Sequence, residues 1–388
     1  MKGLFLFSLF TIIYGSLFPF EFKNINWQTE GLPILFSTAL FDGGIADILG
    51  NIVLFLPLGF AGSELINRHG NHRKYYLFLF GYGFILAIAL QIIQLFLPVR
   101  VPALYDAIWG ILGIILGVIL ARIIQVRFPE ILKSDERLAL FALACSWILF
   151  LLVPFLFSYD VIEIRKNIMQ HMDINQYRLA NVILYSCLWI SYSELMADTF
   201  PNRKNFFLSL EFALVLTTIA KALTYRNIIE PEILLGGLIA IIVMRSGVFK
   251  IINLYKIIAI LLLFAMFYNS LYPFDFFKYP LKEFAWVPFS ELFSDDMLPI
   301  LRVVLYKVFI YGCILWNLYK AFPNIKYIGY FCIIYAGSIE YFQHLTLQRV
   351  GGLTEPFIII FLMTFIKQHK EKFELYQQDS AEEKTSTP

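Results

Sequence analysis

Two stretches of the chain place amide, carboxyl and guanidinium groups at one common spacing. The first reads Gln91-x-x-Gln94, then Arg100, then Asp106; the second reads Ser338-x-Glu340-x-x-Gln343, then Arg349, then Glu355. Residues three apart on a helix share a face, so Gln91 with Gln94, and Glu340 with Gln343, point the same way. Each arginine falls in a tight connection and each carboxylate at the start of the next helix, where the helix dipole favours a negative charge. Arg226 and Glu232 repeat the arginine-to-carboxylate interval between them. Such a set has two uses. The arginines can hold a phosphate or carboxylate through paired N–H donors, with Glu340, if sunk in the membrane, as an acid or base. Alternatively, each arginine pairs with its carboxylate and only staples a helical hairpin.

Other polar residues fall near this pattern. Asp47 and Asn51, four apart, open a helix on one face; Asp47 reads as a first-turn or N-cap carboxylate, or as the lining of a site. The heptapeptides SLFPFEF (from Ser16) and SLYPFDF (from Ser270) each end an apolar run with proline, aromatics and an acid. Their carboxylates, Glu21 and Asp275, are expected to contact Arg100 and Arg349. His69 and His72 sit in a short basic loop without a third ligand of the usual type, and His344 reads as an interfacial side chain. No HExxH, GxSxG or phosphate-loop motif occurs, so neither a metal nor another cofactor is expected. Cys145, Cys187, Cys313 and Cys332 fall in apolar runs without paired spacing and read as small core residues.

What must position these groups is a set of membrane-spanning helices. Of the 388 residues, 59% are hydrophobic and 15% charged, with a mean hydropathy of +0.70. A soluble domain rarely exceeds about 50% apolar, and the long runs approach the roughly 20 residues that cross a hydrocarbon core. A net charge of +2 without a basic run argues against a nucleic-acid partner. Apolar helices are predicted at 3–20, 48–66, 75–97, 103–121, 138–158, 179–197, 205–223, 232–249, 251–271, 298–319, 327–346 and 353–366. The fold class is therefore all-α, a polytopic transmembrane bundle of about twelve spans. The first run lacks a small-x-small cleavage site and is kept as a helix of the protein. Lysines and arginines concentrate on the connections that share a side with the N-terminus, which predicts both termini in the cytoplasm.

The pattern also repeats. Trp147 to Asp160 holds a third, weaker copy of the heptapeptide around Pro154, with Phe157 in place of the acid. The three prolines are followed at similar intervals by NIVLFLPLGF (from Asn51), NVILYSCLWI (from Asn181) and RVVLYKVFIY (from Arg302), then by Arg100, Arg226 and Arg349. This predicts three parallel four-helix repeats, at 1–127, 138–249 (degenerate) and 251–366, with a polar cytoplasmic tail at 367–388. The middle copy, without its acid, is expected to be the least able to bind a ligand.

The stretch Asp47-x-x-x-Asn51-x-x-x-Phe55-Leu56-Pro57-Leu58-Gly59-Phe60 resembles the first signature of VanZ-like membrane proteins. Ser338-x-Glu340-x-x-Gln343 with Arg349 and Glu355 resembles the second. Gln91 stands where the family has Glu, Arg302 where it has Asn, and its later Asn is replaced by Gly110, Gly236 and Ile359. The resemblance implies a multi-pass protein of the bacterial cytoplasmic membrane, in a family named for a protein linked to resistance to the glycopeptide teicoplanin. With the arginines outside, the expected partners are membrane lipids: an anionic envelope lipid or a lipid-linked cell-wall precursor. The expected binding residues are Arg349, Glu355, Gln343, Glu340, Arg100, Asp106, Gln94, Asp47, Asn51, Glu21 and Asp275. Trp27, Tyr105 and Trp286 suit the headgroup zone. The alternatives are an enzyme acting on an envelope lipid with Glu340 as general acid or base, a transporter, and a scaffold without a ligand.

Overall fold

The computed structural model describes residues 1–24, 35, 44–70, 73–98, 100, 102–169, 178–200, 207–225, 227–247, 254–277, 282–291, 297–322, 325–346 and 349–363. Within these residues every apolar run expected to be helical is helical. The helices are α1 (Lys2–Leu17), α2 (Gly44–Arg68), α3 (Arg73–Gln94), α4 (Leu104–Arg127), α5 (Pro129–Leu132), α6 (Asp135–Leu152) and α7 (Val161–Met169). They continue as α8 (Leu179–Thr199), α9 (Phe207–Leu223), α10 (Pro231–Arg245), α11 (Leu254–Leu271), α12 (Met297–Ala321), α13 (Ile325–His344) and α14 (Thr354–Met363). Among the described residues α2, α3, α4, α8, α11 and α12 contain stretches long and apolar enough to cross a membrane. Large apolar side chains on α3, such as Leu77, Phe78 and Ile85, are 69%, 71% and 68% exposed, as expected of a surface whose solvent is lipid. The protein is all-α and membrane-spanning.

Two helix ends differ from the sequence expectation for identifiable reasons. α6 stops at Leu152 rather than near 158, because the residue before Pro154 is held in extended backbone. α4 continues past 121 to Arg127; its long cationic side chains keep their charge at the polar end of the span while their stems stay apolar. The short helices α5 and α7 were not expected. α7 begins at a local cap, with Ile162 N–H donating to Asp160 Oδ1 at 2.9 Å.

The chain divides into two compact units, Met1–Leu132 with Asp295–Leu298, and Lys133–Ser294 with Pro299–Pro388. In the first unit α2 and α4 pack through small residues. A Cβ added at Gly117 would lie 2.2 Å from the Leu56 carbonyl oxygen, and one at Gly113 would lie 2.4 Å from that of Ile52. Membrane helices gain contact by such close backbone approach, since lipid provides no hydrophobic drive between them. Gly117→Val is therefore expected to destabilise the unit by about 1–3 kcal/mol. Gly81→Val, with nothing within 4 Å of its Cβ position, should leave the thermal unfolding of detergent-purified protein unchanged. Equal midpoints for the two variants would contradict this packing.

In the second unit the core is aromatic. Trp147 of α6 stacks on Phe309 of α12 with ring centroids 5.0 Å apart and meets Trp189 of α8 edge-on at 5.5 Å. Trp189 Nε1 donates to the Ile233 carbonyl at 3.2 Å, and Asn317 Nδ2 donates to Ser191 Oγ at 2.9 Å. These buried polar groups are paired, as an apolar interior requires. All four cysteines are free, three of them buried.

Candidate functional site

Helices α1, α6 and α11 each end in a turn of the same construction. Phe18, Val153 and Tyr272 donate their N–H groups to Tyr14, Leu149 and Tyr268, at 3.0, 3.0 and 2.9 Å. A cis proline follows in each case, Pro19, Pro154 and Pro273. Phe20, Phe155 and Phe274 come next, with φ of 66°, 62° and 68°. Positive φ is uncommon for a residue with a side chain; each of these donates back to the last helical residue, Leu17, Leu152 or Leu271, at 2.9, 2.9 and 2.7 Å. The fourth residue past each proline then docks on the neighbouring hairpin. Lys23 N–H donates to Phe96, Ser158 to Leu223 and Phe277 to Leu345, at 2.7, 2.8 and 2.9 Å.

A helix leaves its last four carbonyls without intrahelical partners. In α11 the turn satisfies those of Tyr268 and Leu271, and the hairpin satisfies the other two. Arg349 Nη2 donates to the Asn269 carbonyl at 2.9 Å, and Gln343 Nε2 donates to that of Ser270 at 3.1 Å. In the first unit Arg100 Nη2 donates to Gly15 at 2.9 Å and Gln94 Nε2 to Ser16 at 2.9 Å, completing α1 in the same way. In the middle region Asn227 Nδ2 reaches the carbonyls of Leu151 at 2.9 Å and Val153 at 3.1 Å; Arg226 lies outside the described residues. Each glutamine is thus a helix cap delivered from a distant helix. Gln343→Leu and Gln343→Glu are each expected to cost about 1–3 kcal/mol, because neither side chain donates to the buried Ser270 carbonyl, read as a lower unfolding midpoint than that of wild type.

The carboxylates form centres beside these caps. In the first unit Gln91 Oε1 accepts from Ala103 N–H at 2.9 Å, and Gln91 Nε2 donates to Asp106 Oδ2 at 3.4 Å. Asn51 also hydrogen-bonds Asp106, and the Asp47 charge acts on Asp106 and on Arg100. Sequence reasoning placed all of Asp47, Asn51, Gln91, Arg100 and Asp106 in the candidate site or its motif, and the fold gathers them. Gln91 and Gln94 are buried, Arg100, Asp106 and Asn51 half-buried and Asp47 exposed, so the centre opens outward at Asp47.

The corresponding centre of the second unit is more charged and more enclosed. Glu340 Oε2 accepts from Gly352 N–H at 2.8 Å, the counterpart of the Gln91–Ala103 bond. The Glu340 and Glu355 carboxyls also act on each other. Lys307 Nζ lies 2.5 Å from Glu355 Oε1 and 3.8 Å from Glu291 Oε1. Glu291 arrives on a loop, 282–291, that pairs with the hairpin: Ala285 N–H donates to Gly351 at 2.9 Å and Leu353 N–H to Ala285 at 3.2 Å. Phe289 N–H adds a bond of 2.6 Å to Thr354 Oγ1. The Tyr311 hydroxyl, near Glu355, both Glu291 oxygens and Glu355 Oε2 are buried without hydrogen-bond partners. Trp286, on the same loop, is 73% exposed, as an interfacial aromatic would be.

Three expectations are corrected here. Glu21 and Asp275 are exposed, and neither forms an ion pair with Arg100 or Arg349 among the described residues; the arginines reach backbone carbonyls instead. The cation that neutralises Glu355 is Lys307, not Arg349, so the arginine–carboxylate staple does not form in that hairpin. Arg302, aligned with Asn51 of the first signature, pairs at 3.2 Å with Glu230 Oε1 of the middle region. Sequence reasoning missed Lys307, Glu291 and Glu230. A lysine inside an apolar run was the available signal, since such a charge is costly unless paired. His69 Nδ1 lies 2.8 Å from the Leu65 carbonyl oxygen, while His72 and Trp27 fall outside the described residues. Among the described residues no group of three His, Cys, Asp or Glu side chains is arranged to hold a metal ion.

Residues 4–125 match the family model described as VanZ/LLP1, a segment that takes in α1 to α4 and the first centre. No curated protein and no solved structure matches the chain.

Proposed function

Starting from a VanZ-like membrane protein, we propose that the turn-and-hairpin ends hold the head group of an anionic envelope lipid or a lipid-linked cell-wall precursor. The site faces outward from the bacterial cytoplasmic membrane, with both termini inside, an orientation that follows from the placement of lysines and arginines. The observation that carries the reading is that Arg178 and Arg349 both dock on the end of α11, at Tyr272 and Asn269. Arg178, at the N-cap of α8, lies over the ring of Tyr272 at 4.3 Å, a cation–π contact that fixes the guanidinium and leaves its donors available. Arg349 is close enough for the two charges to act on each other. Burial lowers its affinity for a proton below the usual range, Glu340 raises it and Arg178 lowers it again. A bound phosphate or carboxylate would relieve that repulsion. Arg349 spends one of its five donors on Asn269, and the remainder suit a forked contact with an anion.

The recurring turns and caps support a further part of the reading, that the chain consists of three copies of one four-helix unit. Alanine at Arg178 or Arg349 is expected to weaken binding of a fluorescent phosphatidylglycerol to the detergent-purified chain by about tenfold. Unchanged affinity in the double variant would remove the site. A second reading, an enzyme acting on an envelope lipid, is favoured by the neighbouring Glu340 and Glu355 carboxyls, one of which would serve as the acid or base. It requires turnover of a labelled lipid by wild-type protein and none by Glu340→Gln.

A further inference from the structure

The middle region was expected to bind least, yet a buried lysine and a half-buried arginine converge there on a single carboxylate. Lys221, near the end of α9, is 3% exposed, and its Nζ lies 2.9 Å from Glu230 Oε2. The other oxygen of Glu230 lies 3.2 Å from Arg302 Nη2 of α12. Glu232, in the first turn of α10, pairs with neither cation among the described residues, so this centre carries more positive charge than its one carboxylate cancels. Arg302 is held by the face of Phe150, 5.4 Å from the ring centroid, which positions it without using its donors. A small cavity adjoins Lys221, lined by Thr217, Thr218, Ile229, Glu230 and Leu234 among others.

Glu230 has the attributes of an exchangeable occupant. Its side chain is 32% exposed, against 4% for Lys221. It sits on a non-helical stretch whose backbone is pinned independently, by Asn227 to Leu151 and Val153 and by Ile229 N–H to the Asn167 carbonyl at 3.0 Å. The side chain can therefore swing out while the stretch stays docked. Lys221 cannot follow it, and a buried ammonium without a counter-charge is costly. Whatever replaces Glu230 must be an anion that accepts from a lysine and an arginine together. A phosphate group does so with the correct geometry, Lys as a point charge and Arg as a fork.

We propose that Lys221 and Arg302 form a phosphate-binding site, separate from the Arg178–Arg349 site, in which Glu230 stands in for the ligand when the site is empty. The test uses the detergent-purified full chain, titrated calorimetrically with inorganic phosphate and, separately, with short-chain phosphatidylglycerol. Glu230→Gln removes the internal competitor and keeps its size, so affinity for at least one of the two is expected to rise about tenfold. Adding Lys221→Met or Arg302→Gln should abolish the gain. A gain for the lipid alone assigns the phosphate to a headgroup; a gain for inorganic phosphate as well assigns it to the free anion. Adding Arg349→Ala to Glu230→Gln should preserve the gain, so failure of either site leaves the other standing. Unchanged or reduced affinity for both ligands in Glu230→Gln, or a gain that survives loss of both cations, overturns the proposal. If Glu230→Gln does not fold, Glu230→Asp, with a shorter reach to both cations, must show a smaller gain in the same direction, and its absence overturns the proposal equally.

Discussion

Lys307→Met should remove about 3–5 kcal/mol of stability, the usual result of deleting one partner from a buried charge network. Glu355 and Glu291 have side chains only 6% and 9% exposed, and both face the Lys307 ammonium. Without it, Glu355 loses the cation that balances its charge, and Glu291 loses the only ion pair it has among the described residues. The loop that carries Glu291 should then detach from the hairpin. The measurement is the fraction of monodisperse protein recovered in mild detergent and its thermal midpoint. Lys307→Arg should recover most of the loss, and Glu355→Gln added to Lys307→Met should recover part. A Lys307→Met midpoint equal to wild type would mean that the centre is not held by charge.

Position 340 separates a structural task from a chemical one. The Glu340 carboxylate, on a residue 3% exposed, accepts the Gly352 N–H, and the turn that brings Gly352 there cannot relax. A Cβ on Gly351 would lie 2.2 Å from the Glu340 carbonyl oxygen, so the backbone already runs hard against α13. Glu340→Leu strands the Gly352 N–H. At about 1–3 kcal/mol for a buried group left unpaired, a loss smaller than that from Lys307→Met is expected. Glu340→Gln should fold normally, because Gln91 makes the equivalent bond to Ala103 within the same chain. Comparable instability of the two variants would show that the acid itself, not its acceptor oxygen, holds the turn.

How far this arrangement was legible in the sequence depends on what each partner looks like there. The apolar segments were readable because lipid demands long runs, and within the described residues each of them forms a helix. Their ends moved where a local rule prevailed, at Pro154 and at the cationic end of α4. The four- and nine-residue helices α5 and α7 are too short for periodicity to register. The spacing of Gln343, Arg349 and Glu355 was visible, but the partners of the first two were not. They bind backbone carbonyls, which every residue carries, so nothing in the amino-acid letters marks Ser270 or Asn269. Glu21 and Asp275 misled for the opposite reason. Their recurrence beside proline suggested a contact, but an exposed carboxylate gains little from an ion pair, and what recurs there is the turn. Lys307 was in plain view inside an apolar run, while its partner Glu291 belongs to a loop whose docking depends on the folded hairpin.

The central claim, that the arginine end of the hairpin holds an anionic envelope lipid or precursor, is tested most directly by the lipids that copurify with the protein. Wild-type and Arg349→Ala proteins, purified in parallel in the same detergent and matched for amount, are extracted and their lipids identified and quantified by mass spectrometry. The account predicts a phosphate- or carboxylate-bearing lipid enriched in wild type over the bulk membrane and depleted about tenfold in the variant, at equal recovery of folded protein. Identical lipid profiles from two equally folded proteins would contradict it.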